Sequence, residues 1–362
     1  MSLILENIDH VVGGATHIAD LSLELQPGSF NVLLGRTLAG KTTLMRLMAG
    51  LDAPTRGRIL MNGEDVTGRS VRKRNVSMVY QQFINYPTLS VYDNIASPLK
   101  LARIARAEID RRVREVAEML HIEDLLDRLP LELSGGQQQR TAMGRALVKN
   151  ADIVLFDEPL VNLDYKLREE FRDELRGVFS ERRCIAVYAT TEPAEALALG
   201  GNTAVIHEGR LLQYGRTEEV YHRPRDILTA EMFSEPPINI LRGMISGSEV
   251  SFDARRRFPV SGDLRRLAPG EYRFGVRASH ISLSPRTKDD IEVEMIVDLA
   301  EISGSETFLH VHSDRLHMTV HLEGVHEFAV DAPVTLYFPA RKVYAFDRQG
   351  AAVHIPTRLG SA

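Results

Sequence analysis

The sequence predicts an α/β domain built on a parallel sheet, followed by a smaller all-β domain. Three observations predict it. Short, largely β-branched apolar runs alternate with helical patterns through the first two-thirds of the chain: NVLL at 31–34, DIVLF at 152–156, CIAVYA at 184–189 and TAVI at 203–206. Strands covered on both faces of a parallel sheet read this way. The first of these runs leads straight into a glycine-rich loop and a helical pattern. After Pro236-Pro237 the chain changes to short alternating segments, YRFGVR, IEVEMIV, TFLHVH, LHMTVHL and PVTLYF, separated by Gly, Pro and Asp. That is the pattern of a small antiparallel barrel or sandwich. The expected domains are 1–235 and 236–362.

Composition narrows the function classes. The chain has 362 residues, 44 % apolar and 26 % charged, which suits a soluble globular protein of about two domains. Lys plus Arg is 44 against 49 Asp plus Glu, a net charge of −5 that argues against a nucleic-acid partner. The single cysteine, Cys184, reads as a small core residue and cannot form an internal disulfide, as fits a reducing compartment. No apolar run approaches the ~18 residues that span a bilayer. The opening MSLILENIDH carries Glu6 and Asp9 where a secretory signal would be basic. A cytoplasmic protein is expected.

The glycine-rich loop carries the chemistry. Gly35-Arg36-Thr37-Leu38-Ala39-Gly40-Lys41-Thr42, running on into Thr43, satisfies G-x-x-x-x-G-K-[ST] between a strand and a helix. Glycines let successive N–H groups turn inward around phosphate oxygens, and the helix N-terminus adds positive charge. Lys41 can reach the β- and γ-phosphates and the Thr42 hydroxyl can ligate Mg²⁺. The run IVLFDEP ends a second strand in Asp157 and Glu158, at the sheet edge where ligands of such folds bind. Asp157 suits the Mg²⁺ shell, and Glu158 can polarise an attacking water as general base. Between the two strands, Ile109, Val113, Val116 and Leu120 recur at helical spacing, predicting a helix within 108–129.

Leu133-Ser134-Gly135-Gly136-Gln137-Gln138-Gln139-Arg140 adds a serine hydroxyl and two glycine N–H groups opening a helix, a second anion cradle. Two cradles on one chain suggest that the second serves another copy's nucleotide. In this the chain resembles the ATP-binding-cassette family, whose subunits sandwich two ATP molecules head to tail. Gln81, in MVYQQF, matches the family's Q-loop, which touches Mg²⁺ and the membrane partner; Asn162-Leu163-Asp164 matches its D-loop. The resemblance implies an inserted helical subdomain at about 88–140. MFSEPPINILRG, FGVRASHISL and FPARKVYAFD resemble the accessory oligonucleotide/oligosaccharide-type (TOBE) barrels of carbohydrate-importer ATPases, those for maltose and sn-glycerol 3-phosphate above all. The neighbourhood of GRTLAGKT is similar to that in bacterial glycerol importers that use two unlike ATPases. So the resemblance implies hydrolysis of MgATP coupled to carbohydrate or polyol import, with glycerol or a derivative as the solute. It implies two membrane permease subunits, with the chain peripheral on the inner face of the bacterial membrane. It also implies a periplasmic binding protein acting indirectly and a docking groove formed by Gln81 to Leu89.

Two departures from the family stand out. Against its V-T-H-D, this chain reads Tyr188-Ala189-Thr190-Thr191, which puts Thr190 at the place of the histidine that contacts the γ-phosphate. A hydroxyl can donate to phosphate but cannot carry imidazolium charge. Val12 stands where an aromatic residue stacks on adenine, an interaction of about 1–3 kcal/mol by analogy with base stacking. A heterodimer of unlike ATPases, with one weak and one competent site, is therefore expected over a homodimer. The alternative is a catalytically weak cassette that binds ATP and completes an unlike partner's site. A nucleic-acid or ribosome cassette would carry two cassettes or a coiled coil, and a small GTPase would carry N-K-x-D; neither is present. His310, His312, His317 and His321 fall on one strand face if Ser313-Asp314 is a hairpin turn, read as an exposed face rather than a metal site. Arg255-Arg256-Arg257 reads as a solvated turn.

Overall fold

The computed structural model describes residues 2–82, 84–160, 165–180, 184–252, 257–259, 262–313 and 316–356. The chain separates into two units, Met1–Thr217 and Glu218–Ala362.

The first unit begins β1 (Leu3–Val12), β2 (Ala15–Leu25), β3 (Phe30–Leu34), α1 (Lys41–Ala49), β4 (Arg56–Met61), β5 (Glu64–Asp65) and β6 (Val76–Val79). Three helices follow, α2 (Val91–Leu101), α3 (Arg106–Met119) and α4 (Gly135–Leu147). It closes with β7 (Ile153–Asp157), α5 (Tyr165–Ser180), β8 (Ile185–Thr190), α6 (Pro193–Leu199), β9 (Asn202–His207) and β10 (Arg210–Arg216). The central sheet has the order β10-β9-β3-β8-β7-β6 and is parallel except for the β9–β10 edge pair. The four apolar runs are its strands β3, β7, β8 and β9, and every residue of β7 and β8 is buried, as expected of strands covered on both faces. A second, antiparallel sheet has the order β2-β1-β4-β5. Leu44, Met45, Leu47 and Met48 of α1 share one core with Leu3, Leu5 and Leu21 of that sheet and Leu155 and Val187 of the central one. Each such side chain, fully buried, contributes about 1.5–3 kcal/mol.

Helices α2 to α4 occupy the region expected to be helical, α4 continuing past 140 to Leu147. A Cβ on Gly144 would lie 3.1 Å from Ile95 Cδ1, so the glycine lets α4 approach α2 closely. The helix expected within 108–129 ends at Met119, with Leu120 buried as its cap. His121 takes a left-handed φ of 52°, and the Ile122 N–H donates back to the Ala117 carbonyl, a turn that closes the helix. Cys184 stands half-buried just ahead of β8 rather than within the strand core.

A short helix, α7 (Thr217–His222), spans the division, and the second unit continues with α8 (Ile227–Met232). Its strands are β11 (Asn239–Ser246), β12 (Glu249–Ser251), β13 (Arg257–Pro259), β14 (Gly270–Val276), β15 (Asp290–Ser303), β16 (Glu306–Ser313), β17 (Leu316–Glu323), β18 (Pro333–Pro339), β19 (Tyr344–Phe346) and β20 (Ala352–His354). They form two antiparallel sheets, β13-β12-β11-β14-β19-β20 and β17-β16-β15-β18. Leu241 and Phe274 of the first share a barrel-like core with Val293, Leu309, Val320 and Phe338 of the second. The division falls ahead of the expected boundary because α8 belongs with these strands: Ile227 and Ala230 pack with Ile238, Tyr344 and Phe346.

All four histidines do share the less buried face of β16 and β17. The register pairs His312 with His317 and Ser313 with Leu316, so Ser313 belongs to β16 rather than to the turn expected at Ser313-Asp314; Asp314 lies outside the described residues. His310, His312 and His321 stand beside Glu301, Asp298 and Glu306, and the described residues form no cluster able to hold a metal ion. Asn162-Leu163-Asp164, Arg255 and Arg256 lie outside the described residues; Arg257 opens β13.

Candidate nucleotide site

The phosphate loop leaves the central sheet at the end of β3 and closes into α1. The Gly35 N–H donates to the Thr190 carbonyl at 3.3 Å, and a Cβ on Gly35 would fall 2.3 Å from the Ile206 carbonyl oxygen. Only glycine lets the loop turn off the sheet there. Gly40 is left-handed at φ 102°, as is Leu38 at φ 66°, whose side chain stands 97 % exposed. Helix α1 starts without a capping side chain and with no acidic residue in its first turn. The N–H groups of that turn lack intrahelical acceptors, so their partial positive charge is unopposed. An anion fits this position.

The loop and the acidic end of β7 meet through side chains. Lys41 is 4 % exposed, and its Nζ donates to the carbonyls of Gly35 at 2.8 Å and Arg36 at 3.1 Å. It also pairs with Glu158 Oε1 at 3.1 Å. The Thr42 hydroxyl donates to Asp157 Oδ1 at 3.0 Å. Burial pushes the Asp157 carboxyl above the usual carboxylate range; the Thr42 hydroxyl pulls against that shift, and the Glu158 charge adds to it. Glu158 itself holds a left-handed φ of 45° and its N–H donates to the Ala189 carbonyl at 3.1 Å. Hard oxygen donors from Thr42 and Asp157 thus lie side by side, a donor set that fits Mg²⁺.

At the end of β8 the expected role of Thr190 needs correction. Thr190 is buried, its hydroxyl donates to Glu195 Oε2 at 2.5 Å, and it accepts the Glu192 N–H at 3.0 Å. Both roles of the hydroxyl are taken, so it has no donor for phosphate. Matching V-T-H-D one residue later, as Ala189-Thr190-Thr191-Glu192, keeps threonine on threonine and acid on acid, and places the half-buried Thr191 at the histidine's position. Glu195 went unnoticed in the sequence. It is buried, also accepts from the Tyr188 hydroxyl at 3.1 Å, and burial raises its carboxyl above the usual range. A lone acid in the apolar run PAEALAL was the only signal of it.

Other expected site residues lie on their own elements. Ser134 caps α4: its hydroxyl accepts the Gln137 N–H at 3.4 Å while Gln137 Oε1 accepts the Ser134 N–H at 3.0 Å. Ser134 and Gly135 are exposed, Gly136 and Gln137 half-buried. Two residues on, buried Gln139 donates to the Pro159 carbonyl, tying α4 to the segment after Glu158. Gln81 is exposed between β6 and α2 and makes no hydrogen bond to Thr42 or Asp157 among the described residues. Val12 is 53 % exposed at the end of β1. A cavity of about 490 Å³ lies between α2, α4 and β6, lined by Tyr86 and Leu89 of the expected docking segment together with Pro98, Leu101, Arg145 and Lys149.

A strand–loop–helix with a buried lysine, set against two carboxylates at the end of β7, one strand further along the sheet, defines a phosphate-loop ATPase. The ABC transporter family model matches residues 18–161. The chain is 36 % identical to the trehalose/maltose import ATP-binding protein MalK of Thermococcus litoralis, over 95 % of this chain and 97 % of that one. It is 34 % identical to the sn-glycerol-3-phosphate import ATP-binding protein UgpC of Escherichia coli K12, over 91 % and 93 %. The dimeric ATP-binding cassette MJ0796 bound to ADP and Pi superposes with a TM-score of 0.53 at 26 % identity, over 59 % of this chain and 98 % of that one. The chain belongs to the ABC transporter family, as an importer ATPase of the sugar and polyol type. No helix among the described residues is long and apolar enough to cross a membrane.

Proposed function

We propose that the chain binds MgATP at its phosphate loop and energises uptake of glycerol or a glycerol derivative, working beside a second, unlike ATPase. The observation that carries the reading is the contact of loop and acids, with Lys41 Nζ on Glu158 and Thr42 on Asp157, beneath an uncapped helix N-terminus. Lys41 would exchange carbonyl and carboxylate partners for phosphate oxygens of ATP, which frees Glu158 to accept a proton from water. Thr42 and Asp157 would hold Mg²⁺, whose charge offsets that of the phosphates. Ser134, Gly135 and Gly136 would offer their donors to the nucleotide of the partner subunit.

The unlike partner is supported by what this chain lacks around its own loop. Val12 offers no aromatic face, and both Thr190 and Thr191 lack the imidazole of the family motif. A chain that binds ATP weakly and completes its partner's site has the same support. Two permease subunits on the inner face of the membrane would dock on the cavity beside Tyr86 and Leu89, with a periplasmic binding protein selecting the solute. The solute rests on likeness around GRTLAGKT and on the polyol-phosphate relative.

ATP turnover by the purified chain, with Glu158→Gln as control, tests the reading. ATP binding without turnover is expected, and turnover restored by an unlike ATPase would complete the case. Turnover by the chain alone that vanishes in the control would instead establish a self-sufficient homodimer.

A further inference from the structure

In the second unit, β11 and β14 pair in a register that sets Arg242 directly opposite Arg273. Like charges facing each other across an antiparallel pair repel, and natural sheets place opposite charges or apolar residues there. Among the described residues that face carries two carboxylates: Glu271 stands opposite Met244 and is taken by Arg348 at 2.9 Å, and Glu249 stands opposite Ser246, four positions along β11 from Arg242. Neither Arg242 nor Arg273 forms an ion pair among the described residues. Alternation puts Ile240 on the same face as Arg242, and the register puts Phe346 opposite Arg273. At that end the face is covered by the cluster of Ile227, Ala230, Ile238 and Phe346. Where the arginines stand it opens instead into a cavity of about 590 Å³, whose wall includes Met244 and Ser251 of the same face.

We propose that this cavity binds a small organic dianion, in chemical class a phosphate monoester. Two guanidinium forks left without carboxylates match the oxygens of one phosphoryl group, which carries nearly two charges at neutral pH. Met244, on the same face, gives the ester's organic body an apolar contact that free phosphate cannot use. Arg348, held by Glu271, stands at the rim and adds no net charge. The site lies apart from the residues of the phosphate loop in sequence and in domain, and it stands whether or not the importer carries glycerol.

Calorimetry on the full chain, with saturating MgADP to fill the phosphate loop, tests it using sn-glycerol 3-phosphate, inorganic phosphate and glycerol. Saturable binding of the ester is expected, with no heat from glycerol and weaker binding of inorganic phosphate. Arg242→Met with Arg273→Met should weaken the ester by roughly tenfold or more. ADP affinity should not change. Because the pair repels, Arg242→Met alone should melt no lower than the parent, and the ester should raise the parent's Tm but not the double variant's. Absence of binding in the millimolar range, ester affinity unchanged in the double variant, or inorganic phosphate binding as tightly as the ester would each overturn the proposal.

Discussion

Helices α1 and α4 both begin at a glycine-bearing turn proposed to face phosphate, yet their first turns differ. Helix α4 is complete in itself: Ser134 and Gln137 satisfy each other's backbone N–H groups. Helix α1 has Gly40 at its cap, no side-chain acceptor, no acid in its first turn, and a buried lysine as its first residue. The difference shows which end depends on an outside anion. The start of α4 holds its shape and then offers an exposed serine and glycine; the start of α1 leaves its dipole for a ligand to satisfy.

The largest effect should come from setting the two ends against each other in an assembled importer. Ser134→Arg should reduce transport on the order of 10²-fold or more, since it would fill the cradle proposed to serve the partner's site. Lys41→Ala should reduce it less. Equal losses would break the asymmetry. Next, Gly40→Ala should destabilise the chain by about 1–3 kcal/mol, read in urea. Its Cβ would lie 3.0 Å from the His17 carbonyl oxygen, at a φ that L-residues rarely adopt.

Acidification provides a third test, confined to the α1 end. Burial raises the Asp157 carboxyl, so its proton returns at a higher pH than the roughly 3.9 of an exposed aspartate. Mg²⁺-dependent ATP affinity should fall away from that higher point as pH drops. The sign for folding is opposite. With its folded-state value raised, the ionised carboxylate costs stability at neutral pH, a cost relieved as pH falls through that value. Asp157→Asn should therefore melt higher than the parent at neutral pH, and a lower melting point there would contradict the assignment. The smallest effect belongs to α4. Ser134→Ala should lose only about 1 kcal/mol, the ordinary worth of a cap. MgATP should protect the amides of Lys41 to Leu44 from hydrogen exchange while leaving the first turn of α4 unchanged.

The central sheet was legible because strands buried on both faces cannot hide: β3, β7, β8 and β9 appear as bare apolar runs. The phosphate loop was legible because its eight residues are consecutive. What the sequence left obscure depends on direction or on distance. Residue His121 ends α3 with no glycine to announce it, through a left-handed turn that any residue adopts at some cost. Thr190 and Thr191 are neighbours of one type; the inward turn of the first onto Glu195 separates them, in agreement with the match of Glu192 to the motif's acid. The acceptor for the Tyr188 and Thr190 hydroxyls lies on the next helix, invisible to any reading of β8 alone.

That strand end carries a last consequence. The carbonyls of Ala189 and Thr190 receive the N–H groups of Glu158 and Gly35, so Glu158 and the root of the phosphate loop are both gauged from one strand end. Because main-chain oxygens make those links, the alignment of Glu158 with the loop is indifferent to which side chains follow. A lineage could thus exchange an imidazole for a hydroxyl at this corner without disturbing the frame, altering chemical power while inheriting geometry intact.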